Sequence, residues 1–356
     1  RSYATIAALV EDPPFLASTY RIPPVTARLL SRSQKLALYA AERALASSGT
    51  QGDPLARDRF GVFVSAIGGG ELFEAMIRGL DEELIMDRLR TMAASRSDRA
   101  TVESLLDEYE QKFPRFPVTS DAVTGAAANI VAGRIASIFD LRGPNMVLDA
   151  ACASSLAALA SAVNALHSGE CDFALAGGVE TWVDIHAFVQ FSKVTALSAT
   201  GSFPFDERAD GFVLGEGCGM VVLRRLDDAL DDGNQILGVV RGIGSSSDGA
   251  DSSGITAPAV EGQVRAMTRA YTAALIDPGD LDYLECHGTG TRVGDPIELE
   301  SVRRLLQSGS SRGARSLPVA SAKASIGHLR TAAGMAGLLN ALMVVNQRLI
   351  PPQANF

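Results

Sequence analysis

Two widely separated stretches of this chain are written to one plan. "GPNMVLDAACASSLAALASAVNALHSG" (143–169) and "SLPVASAKASIGHLRTAAGMAGLLNALMVVNQ" (316–347) each run from a strand-like segment, through a turn of small residues, into a long Ala/Leu/Gly helix. Two such units predict an internally duplicated fold. The first carries Cys152 at its elbow, and the second carries Lys323 and His328 at the matching place. If the halves pack face to face, the two elbows converge.

The rest of the chain alternates in the same way, which argues for a layered α/β fold. "RFGVFVSAIGGG" (59–70) reads as a short strand ending in glycines, and Leu36, Leu38, Ala41 and Leu45 before it have helical spacing. We read one 356-residue unit with an N-terminal half over 1–235 and a C-terminal half over 236–356. Residues 71–115 are charge-rich and read as an insert of solvated helices, in which Arg88, Arg90, Arg96 and Arg99 belong to a solvated face.

Composition narrows the function classes. The formal charge is −9 and the 32 basic residues form no block, so nucleic acid and membrane surfaces are not expected partners. The start of the chain shows no signal-peptide pattern and no apolar run is long enough to cross a bilayer, so a soluble cytoplasmic protein is expected. Cys152, Cys171, Cys218 and Cys286 form no C-x-x-C pair, which leaves no motif for a metal or a redox couple.

Cys152 is a buried core thiol or a nucleophile. Placed in the first turn of the helix marked by Leu156, Leu159, Val163 and Leu166, it would meet free N–H groups and the positive dipole end, which lower a thiol's pKa. Cys171, Cys218 and Cys286 read as inert core residues. Of four histidines, His167 and His186 fit helix surfaces, whereas His287 in "YLECHGTGTRVGDPIELE" and His328 in "SAKASIGHLRTAAG" sit in glycine-rich turns suited to reaching a ligand.

Three ordered motifs, "DAACASSLAAL", "ECHGTGTRVGDPIE" and "KASIGHLRTAAGMAGL", resemble the β-ketoacyl synthase family, the condensing enzymes of fatty acid and polyketide synthesis. "GSFPFDERADGFVLGEGCGMVVLRRL" and "GSSSDG" match it too, and the resemblance runs from about Tyr20 to Phe356. It implies the thiolase fold, a duplicated αβαβα five-layer sandwich. It places the cysteine nucleophile on Cys152, the paired histidines on His287 and His328, and the characteristic lysine on Lys323. Thr289 and Thr291 would line the tunnel for a phosphopantetheine arm, and Asp295 and Glu298 would orient the His287 loop. Lys323 is expected to hold His328 and the local charge balance. The implied partners are an acyl carrier protein, malonyl and acyl thioesters and a second copy of the chain, with no intrinsic cofactor and no metal.

Departures sort the subtypes. The two-histidine pattern with a downstream lysine differs from thiolases, which use a second catalytic cysteine, and strand alternation turns Cys286 away from the His287 face. "NIVAGRIASIFDLRGPNMVLDAACASSLAAL" and "FSKVTALS" look closest to iterative synthases of polyunsaturated fatty acids and enediyne-type polyketides. The family's opening strand with its "GMG" turn and its closing "GFGGTN" loop are not found, so the domain is expected to be incomplete at both ends. Two rival readings remain at this point, a catalytically silent condensing-enzyme-like interaction domain and a thiolase-type acyltransferase. The serine-hydrolase match "GSSRG" at Ser311 lies in a loop and lacks a strand-to-helix elbow.

Overall fold

The computed structural model describes the chain except for residues 51–53, 68–70, 95–98, 113–117, 251–253, 255–256 and 311–315. In chain order the elements are β1 (Ala7–Ala8), α1 (Pro24–Arg28), α2 (Arg32–Ser48), α3 (Pro54–Asp58), β2 (Phe60–Ser65), α4 (Glu71–Ala93) and α5 (Arg99–Lys112). Then come α6 (Ser120–Ala126), α7 (Val131–Phe139), β3 (Asn145–Leu148), α8 (Ser154–His167), β4 (Phe173–Glu180), α9 (Ile185–Lys193), β5 (Leu214–Gly215) and β6 (Gly217–Arg224). After α10 (Leu226–Asp231), the C-terminal half adds α11 (Val260–Ala274), β7 (Leu284–Glu285), α12 (Gly294–Gln307), β8 (Val319–Ala320), α13 (Lys323–Ile326) and α14 (Ala333–Gln347).

The main sheet has strand order β3-β2-β4-β6, with β3, β2 and β4 parallel and β6 antiparallel. Every residue of β2 and β4 is buried, as continuous apolar runs in a doubly covered parallel sheet require. Side-chain alternation splits them between two layers. Phe60, Val62 and Val64 pack with Leu175 and Val179 against α2 and α7, whereas Phe63, Ala174 and Ala176 pack against Ala158, Leu159 and Ala162 of α8. The small residues on that second face bring α8 close to the sheet, and α14 packs against both α8 and β6.

The C-terminal half is less regular than the repeat suggests. Among the described residues its sheet is the short parallel pair β7 and β8, joined at Leu284–Val319 and Glu285–Ala320. Its elbow is broken into the single turn α13, Gly327 at φ +69°, a 3₁₀ turn over Arg330–Ala332, and only then α14. Lys323 and His328 therefore precede the long helix instead of opening it.

The insert also departs from expectation. Arg90 is engaged by Asp107 and Glu110 across α4 and α5, and Arg99 by Glu103 on its own helix, but the two helices also border an apolar groove containing Ile77, Ile85, Leu89 and Leu105. A polar average had concealed that stripe. Arg96 and Ser311 lie outside the described residues. His167 ends α8 on the surface, and His186 pairs with Glu74 at 2.9 Å, tying the insert to α9. No single described helix is long and apolar enough to cross a membrane.

Gly178, near the end of β4, shows how tightly the layers meet. A Cβ there would lie 2.8 Å from Ser155 Cβ and 3.0 Å from Ala332 Cα, a backbone atom that cannot swing aside. Gly178→Ala is expected to lower the unfolding free energy by about 2 kcal/mol through overpacking. A denaturant titration checks this, and an unchanged midpoint would mean that the layers can slide apart at this point.

Candidate active site

The first elbow is built by its own side chains. Asp149 Oδ1 accepts the N–H of Ala151 at 3.0 Å, and Ser154 Oγ accepts that of Ala150 at 2.8 Å. Ala151 is forced to φ +50°, a left-handed conformation that non-glycine residues rarely take and that marks strain at a functional turn. Cys152 follows it, half-buried, two residues before α8. The sequence had placed it inside the first turn with a lowered pKa. Burial instead raises its pKa above the ordinary thiol value, opposed first by the Lys323 charge and then by Arg330 and its own backbone N–H. At rest the sulfur is a thiol whose ionisation depends on those two cations.

The His287 loop hangs from two carboxylates of α12. Glu298 accepts the N–H groups of His287 and Gly288 at 2.6 and 2.7 Å, while Asp295 Oδ1 accepts those of Thr289 and Gly290 at 3.1 Å each. The other Asp295 oxygen takes the Phe205 N–H at 2.7 Å. These bonds explain how a glycine-rich turn holds one shape, and they match the orienting task expected of both residues. Thr289 and Thr291 touch through their hydroxyls at 3.0 Å and, with His287, line a cavity of about 570 Å³.

Lys323 Nζ donates to the carbonyl of His287 at 2.6 Å. This corrects the expectation that it holds His328. The α13 turn and the β7–β8 pairing carry it across to the His287 strand exit, where Ser321 Oγ also donates to the Gly288 carbonyl at 2.9 Å. His328 is fixed otherwise: its N–H donates to Val213 O at 2.7 Å, and its Nδ1 accepts the Arg330 N–H at 3.0 Å.

The two imidazoles meet edge to face with centroids 5.6 Å apart. The His287 ring faces the cavity, yet the protein on its other sides strips it of bulk solvent; burial, aided by the Lys323 charge, lowers its pKa to about 4. Burial and the same cation hold His328 well below the ordinary histidine range. Both rings are neutral at pH 7. Because His328 Nδ1 is an acceptor, its single proton sits on Nε2, leaving that N–H as a donor.

The comparisons with known proteins span nearly the whole chain. The model of the beta-ketoacyl synthase N-terminal domain matches residues 2–229, and that of its C-terminal domain matches 237–356. The chain belongs to the β-ketoacyl synthase family. It is 43% identical over 249 residues, 70% of its length, to a non-reducing polyketide synthase of Stereocaulon alpinum, of which the match spans 10%. It is 36% identical over 327 residues, 91% of its length, to a polyunsaturated fatty acid synthase polypeptide from a Thraustochytrium species, of which the match spans 11%. The chain thus covers about a tenth of these curated relatives. Among solved structures, an oxazolomycin ketosynthase domain from Streptomyces albus superposes over the whole chain and 55% of its own, with TM-score 0.83 and 30% identity. The fold is the thiolase fold.

Several groups around this condensing-enzyme site escaped the sequence reading. Glu180 closes β4 and pairs with Arg330; Thr331 Oγ1 donates to Val179 O at 3.0 Å, and Ser155 Oγ accepts the Met335 N–H at 2.9 Å. A glutamate ending an otherwise apolar strand run was the one available signal.

Since Lys323 is the leading influence holding the Cys152 pKa down, Lys323→Met should move thiolate formation to still higher pH. The rate of iodoacetamide alkylation at Cys152, followed against pH by peptide mass, reads this directly; an unmoved profile would remove the lysine from thiol activation.

Proposed function

We propose that this chain is a ketosynthase that condenses an acyl group with a malonyl unit carried on an acyl carrier protein. The observation that carries the proposal is the pair of neutral imidazoles facing each other, His328 buried and His287 open to the cavity, beside the Lys323 ammonium, whose charge also reaches the Cys152 sulfur. In the first half-reaction Cys152 Sγ attacks an acyl thioester, the carbon–sulfur bond to the carrier breaks, and the thiol proton ends on the departing pantetheine sulfur. Splitting the reaction this way replaces one hard step by two.

In the second half-reaction a malonyl thioester loses CO₂ and its thioester oxygen becomes an enolate oxygen. Charge develops there only in the transition state, so fixed neutral N–H donors stabilise it without first binding the ground state too tightly. The Nε2–H of His328 is one such donor, and His287 is positioned to supply the other. The enolate carbon then attacks the acyl thioester on Cys152, the sulfur leaves, and it regains a proton. Thr289 and Thr291 line the cavity beside His287, and their hydroxyls support reading it as the path of a polar pantetheine arm. The relatives, large polyketide and polyunsaturated fatty acid synthases, support reading the chain as one domain of such an assembly.

Cys152→Ala should abolish acyl loading seen by intact mass. His328→Ala should retain loading and lower CO₂ release from malonyl thioester by about 10²- to 10³-fold, the usual effect of losing one oxyanion donor. CO₂ release should stay level from neutral pH downwards until protonation of His287 sets in towards about pH 4. Loading on the Cys152→Ala protein, or unimpaired CO₂ release by His328→Ala, would overturn the mechanism.

A homodimer is part of the proposal. β3 is the free edge of the main sheet, and Met146 on it is 42% exposed, an edge suited to pairing with a second copy. Light scattering should give twice the chain mass, and Met146→Pro should shift the population towards monomer.

A further inference from the structure

We propose that Glu180 and Arg330 are positioning residues that fix the tautomer of His328 for the decarboxylation half-reaction, an inference that rests on the ketosynthase reading above. Arg330 is 6% exposed and sits at φ +40°. Its Nη2 donates to Glu180 Oε1 at 2.7 Å and to the Trp182 carbonyl, and its guanidinium lies 5.0 Å from the centre of the Trp182 ring. Glu180 is itself anchored, accepting the Trp182 N–H at 2.8 Å at the end of β4. From the other side of the same residue, the Arg330 backbone N–H meets His328 Nδ1.

Stability alone does not account for this arrangement. Two charges are taken out of water, a cost that their attraction commonly fails to repay, and apolar replacement of a buried pair is often neutral or stabilising. Arg330 Nε is buried with no acceptor, and a non-glycine residue is held in a left-handed conformation. Three unfavourable features at one position call for a task that an apolar contact would not perform.

The task follows from geometry. The Arg330 side chain is tied to the sheet through Glu180, so its main chain is held where the N–H points at the imidazole. That hydrogen bond forbids a proton on Nδ1 and places it on Nε2, the donor the enolate oxygen needs. Phe212, with its ring centre 5.1 Å from that of His328, steadies the ring but offers no polar group to choose a tautomer. Without the clamp the turn over Arg330–Ala332 can relax, the N–H swings away, and both neutral tautomers become accessible. The Cys152 elbow has its own supports in Asp149 and Ser154, and Arg330 and Glu180 act on the Cys152 thiol in opposite directions, so removing both charges together leaves acyl loading largely independent of the clamp.

The test compares the whole chain with Glu180→Leu/Arg330→Met, which removes both charges together and leaves no unpaired ion in the interior, and with Arg330→Lys, which keeps the charge. In ¹⁵N spectra of the resting protein, His328 Nδ1 should show the acceptor signature in the parent and a mixture of tautomers in the double variant. CO₂ release from malonyl thioester should fall about 10- to 100-fold, the scale of a small misplacement of a reacting group, while acyl loading at Cys152 stays within about threefold. Arg330→Lys should recover part of the loss. An unchanged tautomer signature with parental CO₂ release, or equal loss of loading and release, would overturn the proposal. Failure of the parent itself to release CO₂ would instead overturn the ketosynthase reading, and the ¹⁵N signature would still judge the clamp.

Discussion

Everything at the site is referred to one surface, the carboxyl ends of β2 and β4 where the two halves of the molecule touch. Ser65 at the end of β2 donates to Thr331 O, Val179 near the end of β4 accepts from Thr331 Oγ1, and Ser155 at the start of α8 accepts from Met335 N–H. Each bond joins a residue of the N-terminal half to the segment after His328. The contact is close because Gly178 presents no side chain to Ala332. A buried polar seam of this kind tolerates little sliding, since displacement would leave several donors and acceptors unpaired in the interior. The position of His328 is thereby set by the parallel sheet of the other half.

The His287 loop is governed by a different rule. It carries Gly288 and Gly290 at positive φ, so its own backbone preferences do not hold it to a single shape. Asp295 and Glu298 close it by accepting the backbone N–H groups of His287, Gly288, Thr289, Gly290 and Thr291, and both stand on the first turns of α12. Carboxylates on a helix are rigid supports, whereas glycine turns are adaptable ones. Combining them gives a histidine that is held at its main chain and presented to a cavity at its ring.

How legible this was from sequence follows from how local each cause is. The duplicated strand–turn–helix plan, the buried strand β2, and the turns that carry Cys152, His287 and His328 are written in short windows, because periodicity and turn chemistry act over a few residues; Asp295 and Glu298 were implied by the family resemblance. What could not be read depends on distant partners. Glu180 and Arg330 are 150 positions apart, and neither residue names the other in the sequence. The same holds for Lys323, whose partner is a main-chain carbonyl in the loop after β7 and carries no side-chain signature. The thiol shift was misjudged for a related reason: the helix start favours thiolate, but the depth at which that start is buried is a property of packing. The broken second elbow was hidden because Gly327 and the left-handed Arg330 interrupt an alanine-rich run that otherwise looks continuously helical.

The charges around the site share one arrangement: cations act on the reacting groups from a distance while the groups nearest the chemistry stay neutral. Lys323 and Arg330 both pull the Cys152 pKa down, and both push protons off His328. The two effects serve different steps. In the proposed reaction, a thiol that ionises more readily attacks the acyl group, and an imidazole that refuses a second proton remains a donor that does not bind the malonyl carboxylate as a strong ion partner. Burial alone would keep the rings neutral but would also suppress the thiolate; the cations oppose only the second consequence. Their own burial is balanced by Glu180 beside Arg330 and by the charge of Glu298 near Lys323, so the field reaches the sulfur without leaving an isolated ion in the interior. A site with a neutral residue in place of Lys323 would keep both imidazoles neutral and lose the leading influence that favours the Cys152 thiolate.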